Sequence, residues 1–353
     1  MWDIFNMLKN KPPSLKLGDT IAIISPSWGG PSIFPHIYEN GLKKLYSLGF
    51  KVKEYPTARM DQSVLNKNPQ LRAKDINDAF ADKKVNCIVA SIGGEDSIRI
   101  LPHIDKNVVL ENPKIIMGYS DTDTILTYLN QLGLITFHGP SVMAGFSQMD
   151  NLPKNFESHF KRFFLSRYKS LVYRKYSQYC DGYPNWKETE NTGKTNQLKK
   201  NTDGWHWLQG KKIVKGELFG GCIEVLEKMA GTKFWPNDNF WNNKILFFET
   251  SEEKPSIKTI TRYLKNYSQS GIFKRISSVL FGRARDFSAI EKKDLDLNIR
   301  NIINNNSVNH DLPIITNMDF GHTDPQLILP LGVEIEVNPI KQEVRLNENP
   351  FAD

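Results

Sequence analysis

Apolar positions follow two alternating rhythms over the first 150 residues. Ile21-Ala22-Ile23-Ile24 is a short continuous apolar run closed by Ser25-Pro26-Ser27-Trp28-Gly29-Gly30, and it reads as a buried strand entering a loop. Ile37, Leu42, Leu45, Tyr46 and Leu48 then recur near the 3.6 period and predict a helix over 36–48, closed by Gly49. The pattern continues with a strand at 51–55, a helix at 69–82 and a strand at 87–90 stopped by Gly93-Gly94. A strand at 114–117 stopped by Gly118, a helix at 122–132 and a strand at 135–138 complete it. Strands alternating with helices of this length predict a parallel sheet covered on both faces. Ligands of such sheets sit beyond the C-terminal strand ends. The loops at 25–30, 92–97 and 118–122 are therefore expected to gather at one edge.

The rhythm weakens over 165–212, which are rich in Tyr, Asn, Lys, Thr and Trp and read as a linker with an irregular, partly exposed segment. A second α/β region starts near Gly216, with helices at 221–230, 256–270 and 288–303. Its strands are expected at 244–248, 277–281, 313–317 and 333–346, with some antiparallel pairing at the end. Asn301–Asn306 reads as a polar turn. The expected organisation is an N-terminal parallel-sheet α/β domain over 1–165, a linker over 166–212 and a smaller C-terminal α/β domain over 213–353.

Composition narrows the class. The chain has 353 residues, enough for about two domains that each bury a core. Its 20 Phe, 12 Tyr and 7 Trp, spread along the chain, argue against disorder. No apolar run approaches the roughly 18 residues of a membrane span. The start, MWDIFNMLKN, carries Asp3 and lacks a continuous apolar stretch, so a cytoplasmic protein is expected. Cys87, Cys180 and Cys222 lie far apart, which argues against a disulfide framework or a cysteine zinc site. The net charge of +7 is mild, and the runs at Lys199-Lys200 and Lys211-Lys212 are too thin for a nucleic-acid stripe. A solvated surface accounts for it, with an anionic small substrate as the alternative.

Four segments carry candidate chemistry. In Met117-Gly118-Tyr119-Ser120-Asp121-Thr122 a strand feeds a Gly-x-Ser turn and a helix follows at once. That geometry lifts a hydroxyl to the sheet edge beside free helix N–H groups. A nucleophile elbow has a second glycine where this chain has Thr122, so a plain helix cap by Ser120 or Asp121 is the competing reading. In Ile92-Gly93-Gly94-Glu95-Asp96-Ser97, glycines after a buried strand let backbone N–H groups approach a ligand, or they form only a turn. No dinucleotide or phosphate-loop motif is present, and no cofactor is expected. Glu249 ends the apolar run 245–248, where a carboxylate needs a partner: a histidine, a salt bridge or a helix terminus. Glu252 and Glu253 read as solvated.

The fourth segment is Asp319-Phe320-Gly321-His322-Thr323-Asp324-Pro325, which places a histidine in a loop. His138, ending a strand beside Gly139-Pro140, is a second candidate. His36, His103, His159 and His310 read as surface or helix positions, and His206, between Trp205 and Trp207, as packed. His322 and Asp324 lack the further ligands of a metal site, and there is no HExxH.

Together these segments resemble the LD-carboxypeptidase family of serine peptidases, in its microcin C immunity branch. The resemblance runs from Leu17-Gly18-Asp19 through IGGEDS (92–97), GYSD (118–121) and HGPSVM (138–143). It continues in LQGKKIVKGELFGGCIEVL (208–226), LFFETSEEKPS (246–256) and GHTDPQLILPLG (321–332). It implies a Ser120–Glu249–His322 triad with an oxyanion hole of backbone N–H groups around Gly94 and at Asp121. It also implies an N-terminal domain like class I glutamine amidotransferases, and a homodimer.

Two substrates fit the resemblance. One is the amide joining an acidic amino acid to a nucleotide in processed microcin C-like compounds. The other is the L,D-amide of a murein tetrapeptide. Gly93, Glu95, Trp186 and Arg283 are the expected substrate contacts. Trp186 would stack a nucleobase, with ordinary packing as the alternative. Arg283 or Arg285 would meet an anionic group, with a surface pair as the alternative. The expected partners are small peptides or aminoacyl-nucleotides, with no nucleic-acid polymer and no membrane. An α/β-hydrolase esterase sharing the order Ser–acid–His and a noncatalytic ligand-binding protein are the competing functions.

Overall fold

The computed structural model describes residues 9–306 and 311–352. The first eight residues of the chain start discussed above, and His310, lie outside them. The fold is mixed α/β with two main sheets, one of six strands and one of eight.

The first sheet contains β1 (Thr20–Ile24), β2 (Lys51–Glu54), β3 (Cys87–Ala90), β4 (Ile115–Gly118) and β5 (Thr136–His138), all in parallel pairs. Interleaved helices are α1 (Pro35–Ser47), α2 (Pro69–Ala81) and α3 (Asp123–Gln131). β3, β4 and β5 are buried throughout. They therefore read as continuous apolar runs rather than alternating ones. β2 lies at the edge and carries Lys51, Lys53 and Glu54, which discourage further pairing. The three predicted loops do gather: Trp28 N donates to Gly93 O at 3.0 Å, and Glu95 N donates to Ser27 Oγ at 3.0 Å.

Two helices depart from expectation. α4 (Asn155–Leu165) was not anticipated, although Phe156, Phe160, Phe163 and Phe164 fall on one buried face at helical spacing. α5 (Ile257–Gln269) matches expectation, but α6 (Ala289–Asn306) runs straight through the supposed turn at 301–306. Ile299, Ile302 and Ile303 are buried, so the helical apolar spacing outweighs the asparagines.

The second sheet centres on β6 (Val214–Cys222), β7 (Ile245–Glu249), β8 (Ser278–Gly282) and β9 (Ile314–Met318), paired in parallel. β6 was expected to be helical from residue 221. Its glycines are strand glycines that permit close approach, and the short helix starts only at Ile223. The irregular segment supplies an edge strand at 206–209 beside β9 and another at 171–172.

One connection decides where the site lies. β10 (Leu329–Leu331) belongs to the C-terminal half yet pairs antiparallel with β5 of the first sheet, Leu329 opposite His138. β11 (Glu334–Asn338) and β12 (Glu343–Leu346) then return to the second sheet. The loop 319–328 is thereby anchored at both ends, between β9 of one sheet and β10 of the other. Tyr173 Oη donates to Ile328 O at 2.7 Å, and Ile328 N donates to His159 Nε2 at 3.2 Å, fixing the loop from α4 and the segment after it. No helix of the described residues is long and apolar enough to cross a membrane.

Candidate active site

Ser120 lies just past the end of β4 in a left-handed conformation, φ +61°. A non-glycine residue there is strained by about 1–3 kcal/mol, which persists only where the surroundings impose it. No side-chain cap bond from Ser120 or Asp121 closes the following helix, so the capping alternative fails. Ser120 is half-buried, and its Oγ makes no hydrogen bond among the described residues.

The glycine loop lies against it. A Cβ on Gly93 would come within 2.9 Å of Ser120 Cβ, 3.1 Å of Ser120 Oγ and 3.5 Å of Asp121 N. Only a glycine leaves that space open. Asp121 ties the two loops together: its Oδ2 accepts from Ser97 N at 2.7 Å and its backbone O from Ser97 Oγ at 2.6 Å. The Asp121 N–H sits in the first helical turn, where no intrahelical acceptor exists. Gly94 packs on Ser27 and the Trp28 backbone. The loop is held from behind by Arg72, fully buried, which donates to Asp96 and to Pro26 O. Glu95 is exposed, and its backbone O accepts from Lys228 Nζ.

From the other sheet, Glu249 closes β7 beside Cys222 of β6, and its side chain is fully buried. His322 Nδ1 lies 2.6 Å from Glu249 Oε2. The Gly321 backbone runs directly over the Glu249 side chain. The Tyr119 ring, adjacent to Ser120, meets the His322 ring edge-on at 4.9 Å between centroids. Serine turn, imidazole and carboxylate thus converge where the two sheets meet.

Glu252 is exposed, as expected, but it also has a partner. Its Oε2 lies 2.8 Å from His322 Nε2, while its side chain keeps 47% of its exposure. Burial opposes charge on the imidazole, but the two carboxylates outweigh it and hold His322 well above its usual range. Burial likewise opposes charge on Glu252, yet the His322 charge and hydrogen bond bring it down to about 2. Asp324, fully buried two residues on, is pushed up to about 6 by burial, with Arg285 and His322 pulling the other way. Glu252 lies in the turn three residues past Glu249, and nothing in its local pattern distinguishes it from Glu253.

The remaining candidates are placed differently. Arg283 is buried, donates to Asp319 Oδ1 at 2.7 Å and lies 4.0 Å from the Tyr179 ring centroid. Its charge is answered inside the protein. Arg285 is the arginine near the site, close enough to Glu252, Asp324 and Tyr119 to act on their protonation. Trp186 is 6% exposed and stacks on Tyr183 at 4.1 Å and 13°, with Phe34 against its edge. It is a packed platform rather than an exposed one. His138 forms a separate buried pair with Asp123, Nδ1 to Oδ1 2.9 Å. Among the described residues no group of three or more His, Cys, Asp or Glu is placed to hold a metal ion.

Comparison with known proteins places the chain in a family. Residues 21–139 match the LD-carboxypeptidase N-terminal domain, and residues 215–337 match the LD-carboxypeptidase C-terminal domain. The chain is 28% identical over 338 residues to the microcin C7 self-immunity protein MccF of Escherichia coli, covering 95% of this chain and 94% of that one. It is 27% identical over 332 residues to a protein of Bacillus subtilis named a probable murein peptide carboxypeptidase, covering 94% and 92%. A solved structure of MccF with glutamyl sulfamoyl guanosine superposes with a TM-score of 0.84 at 26% identity, covering 97% of this chain and all of that one.

Proposed function

The chain belongs to the LD-carboxypeptidase family of serine peptidases, and from that membership we propose an amide hydrolase that works through Ser120, His322 and Glu249. Ser120 attacks the scissile carbonyl. His322 Nε2 takes the serine proton and returns it to the leaving amine. Glu249 orients the ring through Nδ1 and stabilises the imidazolium. The N–H groups of Gly94 and Asp121 receive the developing oxyanion. The observation that carries this reading is the buried 2.6 Å contact of His322 Nδ1 with Glu249, beside a serine held in a strained turn.

The substrate we propose is an aminoacyl- or peptidyl-nucleotide of the microcin C type, cleaved in self-immunity or detoxification. Likeness to MccF along the whole chain supports it, as does a neighbour solved with an aminoacyl sulfamoyl nucleoside. Tyr183, half-buried, backed by the buried Trp186 and close to Arg285, offers aromatic surface for a base. A murein tetrapeptide is the second reading, favoured by the Bacillus relative of similar identity. The same reading carries a cytoplasmic location and a homodimer, which sedimentation velocity tests.

Mass spectrometry of products from both substrate classes separates the alternatives. Wild type should release the amino acid from one class and Ser120→Ala from neither. Hydrolysis retained by Ser120→Ala would refute the triad, and binding without turnover by wild type would favour a noncatalytic receptor.

A further inference from the structure

The His322 imidazole is held at both ring nitrogens by carboxylates, Nδ1 by Glu249 at 2.6 Å and Nε2 by Glu252 at 2.8 Å. A neutral imidazole has a single N–H and can donate to only one of them. Two contacts this short to ionised carboxylates require a proton on each nitrogen. An imidazolium has no lone pair, so in this arrangement His322 cannot take the Ser120 proton.

The two carboxylates differ in how firmly they are placed. Glu249 ends a central strand and is fully buried. Glu252 sits in the loop after β7, and 47% of its side chain faces solvent. It is the contact that can leave. Once it does, Nε2 is the atom available to Ser120, because Nδ1 stays on Glu249.

We propose that Glu252 is a displaceable cap on the base and, through that, a specificity residue: a substrate with an ammonium group next to its scissile amide draws the Glu252 carboxylate off Nε2. This rests on the triad reading. The ammonium offers Glu252 a cation to replace the imidazolium it gives up. Losing one of its two carboxylates, the ring releases its Nε2 proton to solvent. The freed lone pair then accepts the Ser120 proton as the hydroxyl oxygen attacks. An amide whose neighbouring amine is acylated brings no cation, so the cap leaves only by its own exchange with solvent, and peptidyl-nucleotides and muropeptides turn over more slowly. Amino-acid amides and peptides with a free α-amine are the class this selects.

Other ionisable groups facing the ring set the background. Asp324 faces it from the same loop and Tyr119 from the end of β4, while Arg285, from the segment after β8, and Tyr183, from the aromatic segment, act on Glu252. None of these contacts Nε2, so the change in the base is tied to Glu252. Arg285 adds a cation near the same mouth, a counterpart for an anionic group on the same substrate.

The test uses the full chain as wild type, Glu252→Gln and Ser120→Ala, with aspartyl sulfamoyl adenosine and its N-acetyl derivative as probes. Imidazole NMR reads the His322 titration midpoint directly, and hydrolysis is followed across pH. The midpoint should fall by about one unit or more in Glu252→Gln. Wild type should prefer the free amine by about tenfold or more, and Glu252→Gln should reduce that preference to about twofold. The variant should also turn over the acetylated probe faster than wild type at neutral pH. An unmoved midpoint overturns the cap, whatever the turnover. A shifted midpoint with unchanged amine preference overturns the specificity role. Retained hydrolysis by Ser120→Ala, with the midpoint still shifted, would refute the triad and leave the cap in place.

Discussion

Asp123, three residues after the serine, accepts the backbone N–H of Cys222 from the second sheet at 2.8 Å. Its other oxygen lies 2.9 Å from His138 Nδ1 at the end of β5, and both side chains are fully buried. A Cβ on Gly221 would come within 2.7 Å of this carboxylate, so the glycine is what lets it cross the junction. Cys222 pairs in register with Glu249. The carboxylate therefore links the helix behind Ser120 to the strand pair that carries the acid.

Asp123→Ala should leave a buried N–H and a buried imidazole without their partner, costing about 2–5 kcal/mol in denaturant unfolding. Turnover should fall more than substrate affinity, because the two halves lose their registration. Asp123→Asn keeps an acceptor for Cys222 N and should lose less of both. Equal stability of wild type and Asp123→Ala would show that the link carries no strength.

The left-handed turn at Ser120 predicts an unusual ranking of variants. Ser120→Gly relieves the backbone strain and Ser120→Ala does not, so the glycine variant should unfold later by about 1 kcal/mol. Both should lose roughly 10⁴-fold or more in turnover. Gly93→Ala places a methyl against Ser120 Oγ and should cost activity far more than stability. Thermal melts beside single-substrate kinetics check all three.

The parallel first sheet was legible because its central strands are continuous apolar runs, each ended by glycine or a polar loop. Ser120, Glu249 and His322 stood out as candidates for a related reason, each polar group interrupting or following such a run, but only the family resemblance joined them as a triad. The local pattern left the partner of Glu249 open, since 73 residues separate it from His322 and only the crossing of β10 onto β5 brings the loop back. Glu252 was missed because a carboxylate in a loop looks the same whether it meets water or an imidazole. Helix α4 has a readable period, its four phenylalanines marking one face, but it lies at the border of an aromatic, irregular segment whose composition masks it.

Arg283 and Arg285 should separate structure from binding. Arg283→Ala strands Asp319, buried and accepting also from Trp205 Nε1 and Tyr176 N, and should destabilise by about 3–5 kcal/mol. Arg285 keeps 14% side-chain exposure, and among the described residues its ion pair is to its exposed neighbour Asp286, at 3.4 Å. Arg285→Ala should leave the melting curve nearly unchanged and raise KM for anionic substrates about tenfold or more. The reverse pattern would return the anion-binding role to Arg283.

The doubly held imidazole also makes a prediction about stability against pH. His322 is raised in the folded protein, so its contribution is complete below the ordinary histidine value of about 6.5 and fades as pH rises through the folded value. Glu252 is lowered to about 2, so its contribution is present above the ordinary carboxylate value and is lost as pH falls toward 2. The two windows overlap between about pH 4.5 and 6.5, where both charges exist in the folded state at full effect. Glu252→Gln removes one partner of the pair, so the stability gap between wild type and variant should peak in that window and shrink on either side. Denaturant unfolding of both proteins at a series of pH values measures the gap directly. A gap that does not change with pH would mean that Glu252 contributes through packing, and that the imidazole is not protonated by its company.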